Sequence, residues 1–214
     1  MTLLDQLTDS GQIWSGQNWQ NTHIEAGPSQ YAELDAVLPG GGWPLGAVTE
    51  ILYRHPGQGE LRLLLPYLVQ QSRNAPGWQL WFNPPFRPHG PGLAHWGLNL
   101  SRVLVGHSPR PDDLLWCLDK ALTTGGSQAI LAWVSRLDKA PMRRLQLAAE
   151  QSRVAVFLLR PERYKADASI AALRLHLSAQ SATRVRIDVL KRRAGWPVTH
   201  LLLKLPTYTL PHHD

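Results

Sequence analysis

The first 53 residues contain no lysine or arginine, although they carry six acidic residues. All 22 basic residues and ten of the 16 acidic residues follow at positions 54–214. A basic region can bind phosphate or an acidic partner. It can equally form a solvated surface, or contact the acidic region of the same chain or of a second copy. The asymmetry of charge leaves these alternatives open.

Cysteine and long apolar runs are also scarce. Cys117 is the single cysteine, so no internal disulfide can form, and the leucine-rich sequence around it favours packing on a helix face over catalysis. No apolar run reaches the roughly 18 residues of a membrane span. The N-terminus carries acidic residues where a signal peptide has basic ones. We therefore expect a cytoplasmic protein that is not embedded in a membrane.

Groups of residues that could perform catalysis are missing as well. The nine histidines lack the spacing of metal ligands, and no cysteine or paired carboxylates support them. No serine lies in a nucleophile elbow, and no two acidic residues share an obvious face. The sequence therefore predicts no metal site, no cofactor and no enzymatic activity.

Apolar segments of strand type alternate with segments of helical periodicity from residue 47 to residue 160. Strands are predicted at 47–53, 78–83, 102–106, 128–134 and 154–160, with helices between them. This alternation is typical of an α/β domain with a mostly parallel sheet and helices on both faces. Three further strand-like runs after Pro161 predict an antiparallel extension at the sheet edge. We expect an N-terminal arm and linker at 1–30, one domain at 31–205 and a C-terminal tail at 206–214.

A glycine-containing turn after the first core strand stands where a phosphate-binding loop is expected. Such loops need a lysine for the terminal phosphates and a serine or threonine for magnesium, and this turn has neither. Glu60 lies close to the expected position of the lysine, and Pro56 removes an N–H donor. The turn, with Gly57 and Gly59, is therefore predicted to be a degenerate phosphate loop in which Glu60 occupies the anion site at the helix N-terminus.

The segment LDAVLPGGGWPLGAVTEIL resembles the entry to the RecA-type ATPase core. Together with GQGELRLLLPYL, the block AWVSRLDKAPMRRLQLAAEQSRVAVFLLRP and VLKRRAGWP, it resembles the ImuA family of accessory proteins of mutagenic polymerase cassettes. The resemblance covers most of residues 31–197. It implies a three-layer RecA-like core and a non-catalytic role in SOS-induced translesion DNA synthesis. The implied partner is an ImuB-like polymerase paralogue, and RecA and single-stranded DNA are implied as further partners.

The middle of the chain, from VTEILY through LLLPYL, WQLWFNP and FLLRP, is also similar to SulA, an SOS cell-division inhibitor that binds FtsZ. This resemblance is the alternative hypothesis, and it implies FtsZ as the partner. It implies division-protein contacts at Arg62 and Trp81. Both residues have simpler interpretations, Arg62 as a solvated helix residue and Trp81 as packing against the sheet. A third hypothesis is a weak ATPase with an unusual loop.

A dense basic cluster near the C-terminus has two interpretations. In the run TRVRIDV, strand alternation places the charged residues on one face and the apolar residues on the other. Basic side chains beside an exposed tryptophan can bind the phosphates and bases of single-stranded DNA, and charge on an outer strand can equally protect a sheet edge from aggregation. The cluster consists of Arg184, Arg186, Lys191, Arg192, Arg193 and Trp196.

The ends of the chain are the predicted sites of protein contact. Trp14 and Trp19 lie in a polar segment with little apolar company, where they can anchor a partner or fold back on the domain. Leu205, Tyr208 and Leu210 are predicted to lie in an extended tail that becomes ordered on a partner. By analogy with RecA, which polymerises through its N-terminal region, weak self-association is a further possibility.

Overall fold

Ten strands form the framework of the part of the chain that the structure describes. The computed structural model describes residues 25–74, 76–193 and 195–207. Eight strands form one sheet in the order β10-β9-β8-β3-β7-β6-β4-β5, while β1 and β2 form a separate two-stranded pair. The strands are β1 (Ala26–Gly27), β2 (Trp43–Pro44), β3 (Ala47–Tyr53), β4 (Trp78–Phe82), β5 (Val103–Gly106), β6 (Ser127–Trp133), β7 (Ala155–Pro161), β8 (Leu173–Ala179), β9 (Arg184–Arg192) and β10 (Val198–Lys204).

Helices cover both faces of the parallel part of this sheet. They are α1 (Ala32–Asp35), α2 (Glu60–Asn74), α3 (Gly90–His95), α4 (Pro111–Thr123) and α5 (Lys139–Ser152), with 3₁₀ turns at Pro39–Gly41, Leu100–Arg102 and Glu162–Tyr164. Alternate residues of β3 point to opposite cores. Ile51 packs with α2 and α3, whereas Val48 packs with α4 and α5. The predicted α/β class and mostly parallel sheet are therefore confirmed.

The C-terminal part of the sheet differs from the prediction in one strand. β9 and β10 are antiparallel, as expected, but β8 runs parallel to β3. Residues 162–172, between β7 and β8, form a 3₁₀ turn and no α-helix. The sequence therefore lacks the helical pattern that usually indicates a crossover between parallel strands.

A short antiparallel pair ties the start of the described chain to the core. Gly27 pairs with Trp43, and a Cβ on Gly27 would lie 2.6 Å from the Tyr67 ring. Only glycine fits this close approach. Ser29 and Trp43 are buried, so the packed structure begins before residue 31.

A charged group lies inside the sheet. Glu50, on β3, is fully buried and accepts hydrogen bonds from Arg160 (2.5 Å) and Arg174 (2.6 Å) on the two neighbouring strands. Arg174 also donates to the backbone carbonyls of Tyr164, Lys165 and Asp167. These bonds hold the 162–167 turn against β8, on the same side of the sheet as Val48. Within the described residues, no helix has the length and apolar character needed to cross a membrane.

Candidate functional site

The turn between β3 and α2 is closed by its own carboxylate. Glu60, the first residue of α2, is only 3% exposed, and its Oε1 accepts a hydrogen bond from the Gly57 amide at 2.6 Å. Gly57 and Gly59 adopt left-handed φ angles of 86° and 113°, so the turn needs glycine at both positions. Burial, together with the Glu60 carboxylate, raises the pKa of Tyr53 to about 12. The structure thus brings Pro56, Gly57, Gly59 and Glu60 into one turn.

An exposed apolar surface lies at one edge of the sheet. β5 is the last strand on that side, and Leu104 and Val105 are 50% and 42% exposed. Leu100 and Trp78 are also exposed beside it, and the Arg102 guanidinium lies 5.9 Å from the centre of a Trp78 ring. We call Trp78, Leu100, Arg102, Leu104 and Val105 the β5 surface. An edge strand with apolar side chains and open backbone groups is a natural docking site for another protein.

Sequence reasoning missed this surface. The short apolar run VLVG has the pattern of a strand buried inside a parallel sheet. Its exposure follows from strand order, because β5 has a neighbour on one side only.

A second apolar surface lies between α4 and α5. There Trp116 and Leu147 are exposed, and a cavity of about 440 Å³ is present beside Trp116. Charged groups border it, since Lys120 lies 6.0 Å from the Trp116 ring and Arg144 forms an ion pair with Asp119 at 2.7 Å. Its apolar residues are therefore bordered by charges of both signs, whereas Arg102 is the one charged residue among the five that define the β5 surface.

The predicted basic cluster is divided by the fold. Lys191 donates to the Ser169 carbonyl at 2.9 Å, Arg192 donates to the carbonyls of Val37 and Trp196, and Arg193 pairs with Glu150 at 3.3 Å. Arg184 and Trp196 are exposed, while Arg186 is half-buried and lies 3.8 Å from Asp188. The strand alternation agrees with the prediction, because Val185, Ile187 and Val189 are buried. The edge-protection interpretation is wrong, because β9 lies between β8 and β10 and is not an edge strand.

Asp188 lies on the same face of β9 as Arg186 and belongs to a cluster of polar side chains that also includes His176. Burial alone would raise its pKa, but the His200 amide at 2.9 Å, Arg186 and His176 stabilise the carboxylate and hold the pKa of Asp188 below its ordinary value. His176 also lies 3.0 Å from Glu162, through Nε2. This side of the sheet therefore contains interlocked charges in place of a continuous basic surface.

The remaining predicted contact residues lie in three different settings. Trp81 is fully buried, so its side chain does not reach the surface, whereas Arg62 is half-buried on α2. Leu205 is fully buried, and its amide donates to the Thr183 carbonyl at 2.8 Å. The prediction that Leu205 lies in a free tail is therefore wrong, because it completes the core beside β9. Four others, Trp14, Trp19, Tyr208 and Leu210, lie outside the described residues.

Comparison with known proteins identifies the relatives of this fold. The sequence profile of a family described as "Cell division inhibitor SulA" matches residues 46–155. Cell division inhibitor SulA from Pectobacterium atrosepticum is 31% identical over 160 residues, covering 74% of this chain and 90% of that protein. The SulA proteins of Klebsiella aerogenes and Yersinia enterocolitica are 31% and 30% identical, covering 61% and 62% of this chain and 79% and 80% of theirs.

These matches correct the main functional prediction. The hypothesis of an accessory protein for translesion synthesis, with its ImuB-like partner, is contradicted, because the matching family and the relatives carry the name of a cell division inhibitor. The narrower assignment to the ImuA family is not confirmed. The match includes β3, the Glu60 turn and the β5 surface. The chain therefore belongs to the SulA family of cell division inhibitors.

Proposed function

We propose that the protein inhibits cell division by binding FtsZ, in the cytoplasm, through the β5 surface. The observation that carries the proposal is the exposed apolar edge at Leu104 and Val105, which lies inside the segment matched by the SulA family. The resemblance of the chain to SulA-like proteins implies FtsZ as the partner. A soluble domain gains little from exposing adjacent branched apolar side chains unless a partner covers them.

The composition of the β5 surface suits a protein partner. Tryptophan and arginine are the residues most enriched at energetically dominant interface positions, and here Arg102 stacks near Trp78. Leucine and valine add apolar area, which contributes about 25 cal/mol per Å² when removed from water. The open backbone of β5 can in addition donate and accept hydrogen bonds. The α4–α5 surface is the competing location, and its bordering charges make it the less favourable one.

The same proposal assigns the protein no catalytic step. The domain is a RecA-type core in which the phosphate loop has degenerated, and inhibition results from binding alone. The contact of Glu60 with the Gly57 amide supports this view, because a carboxylate already takes an N–H that a phosphate would need. A bound phosphate would also meet the negative charge of Glu60 at short range.

Binding of purified FtsZ to the full chain, measured by biolayer interferometry, tests the proposal. Leu104→Asp is expected to weaken binding at least about tenfold, because the interface would bury an unpaired carboxylate. The matched control is Leu202→Asp, the same change at a 60% exposed leucine on β10, at the opposite edge of the sheet and outside the family match. Leu202→Asp is expected to bind like the wild type.

Two results would overturn the proposal in different ways. Absence of binding by the wild-type chain would remove FtsZ as the partner. Wild-type affinity in Leu104→Asp, combined with loss in Trp116→Ala, would move the interface to α4 and α5. Elongation of cells that express the wild type, and normal length in cells that express Leu104→Asp, is the corresponding expectation in bacteria.

A further inference from the structure

A small cavity lies at the carboxyl ends of the parallel strands β3, β4 and β6. Its volume is about 220 Å³, and the Glu60 turn and the loop after β4 border it. Open parallel sheets commonly bind ligands at this end, and pockets for drug-sized ligands measure about 300–1,000 Å³. An occupant of this cavity is therefore about the size of one amino-acid side chain. The lining residues are Gly57, Glu60, Leu61, Trp81, Pro84, Pro85, Phe86, Arg87, Pro88, His89 and Trp133.

Polar atoms buried in this lining have no hydrogen-bond partner among the residues that the structure describes. Glu60 uses Oε1 for the Gly57 amide, but its Oε2 has no donor. The indole nitrogens of Trp81 and Trp133 have no acceptor. A buried polar group without a partner costs about 1–3 kcal/mol, and more for a charged one, so such groups are uncommon in folded proteins. The lining carboxylate of Glu60 therefore calls for a donor that carries positive charge.

The walls of the cavity suit the rest of such a ligand. The rings of Trp81 and Trp133 are 6.4 Å apart at an interplanar angle of 56°, and the exposed Phe86 and three prolines complete an apolar lining. Tryptophan attracts cations over its ring face more strongly than other aromatic residues do. A cationic head on an apolar stem matches both the carboxylate and these walls.

We propose that this cavity is a binding site for one guanidinium or ammonium group on an apolar stem, which pairs with Glu60 Oε2. The Arg87 side chain, exposed on the rim, opposes a cation, but solvent screens it more than it screens the buried Glu60. His89 accepts from the Gly92 amide through Nδ1 at 3.1 Å, so this ring nitrogen is already engaged with α3. The site goes beyond the proposed function and does not depend on FtsZ.

Butylguanidinium and its uncharged isostere butylurea are the probes for the full-length protein. Their binding is followed through the indole N–H resonances, with those of Trp81 and Trp133 identified from tryptophan-to-phenylalanine variants. We expect saturable shifts of both resonances with butylguanidinium and at least tenfold weaker binding of butylurea, whose carbonyl can accept from an indole N–H but which carries no charge to pair with Glu60. Glu60→Gln keeps the oxygen that accepts from Gly57, and it is expected to weaken binding at least tenfold. Glu33→Gln, at an exposed position on α1, is the control and is expected to bind like the wild type.

If Glu60→Gln does not fold, Arg87→Ala provides a second test of the charge dependence of binding. Removing the rim charge is expected to tighten butylguanidinium binding two- to fivefold, with Glu60 intact. The proposal is overturned if neither indole resonance shifts saturably, if butylurea binds equally well, or if folded Glu60→Gln retains wild-type affinity.

The cation could come from a side chain of FtsZ or from a free small amine, and competition between butylguanidinium and FtsZ distinguishes these two sources. If butylguanidinium displaces FtsZ, the natural occupant is a lysine or arginine side chain of that partner. If both bind together, the occupant is a free small amine, and the site stands equally in either case. Binding of the probe to a chain that fails to bind FtsZ would leave this site intact and overturn the proposed function alone.

Discussion

Replacing Glu50 with glutamine is expected to cause a large loss of stability. Glu50 is fully buried, and its two oxygens accept from Arg160 and Arg174, whose side chains are 4% and 8% exposed. Glutamine would leave two buried guanidinium groups with a single carbonyl acceptor and without a compensating charge. Breaking a buried ion pair from one side costs about 3–5 kcal/mol. For a domain of this size, a loss of 1 kcal/mol lowers Tm by about 2–4 °C, so the expected decrease in Tm is about 6–20 °C.

Urea denaturation at pH 7 measures this loss directly, and thermal unfolding provides the Tm. The matched control is Asp138→Asn, which removes the carboxylate of an exposed pair with Arg136 at 3.4 Å. Exposed pairs contribute about 0–1 kcal/mol, so this variant is expected to unfold nearly like the wild type. A free-energy loss below about 1 kcal/mol in Glu50→Gln, comparable with the control, would refute the reasoning from burial.

Two other predictions concern the Glu60 turn and β9. Gly59→Ala is expected to lower the free energy of unfolding by about 1–3 kcal/mol more than Gly57→Ala does. The reason is that a Cβ on residue 59 would lie 2.6 Å from Leu205, whereas the space around residue 57 is open. Equal losses of the two variants in urea denaturation would contradict this prediction. Asp188→Asn is expected to destabilise the protein at neutral pH, and the deficit relative to the wild type is expected to shrink as the pH falls below about 3.9 and through the depressed pKa of Asp188. A deficit that stays constant from pH 7 to pH 2.5 would show that the charge of Asp188 contributes nothing.

The core elements were predictable because each carries its own periodic pattern. β3, β6 and β7 are apolar runs between turns, and α4 and α5 begin and end close to the predicted residues. The direction of β8, which is parallel to β3 where an antiparallel strand was expected, could not be predicted in this way. It depends on the 162–167 turn that Arg174 fastens over the sheet, and no local periodicity encodes that contact.

The candidate site likewise has one part that follows from local sequence and one part that depends on the tertiary fold. The Glu60 turn between β3 and α2 could be predicted, because the residues that end the strand and begin the helix are local to the sequence. The β5 surface could not, because exposure of Leu104 depends on which strand ends the sheet. Leu205 shows the opposite error, since an apolar residue near the chain end packs beneath Gly59, a contact with a residue 146 positions away in the chain.

Amide hydrogen exchange of the full chain, with and without saturating FtsZ, tests the central claim most directly, because it reports the partner and the location together. The account predicts slower exchange in residues 100–106 and at Trp78 when FtsZ is bound, with little change in β10. Unchanged exchange throughout the chain, or protection confined to α4 and α5, would contradict it.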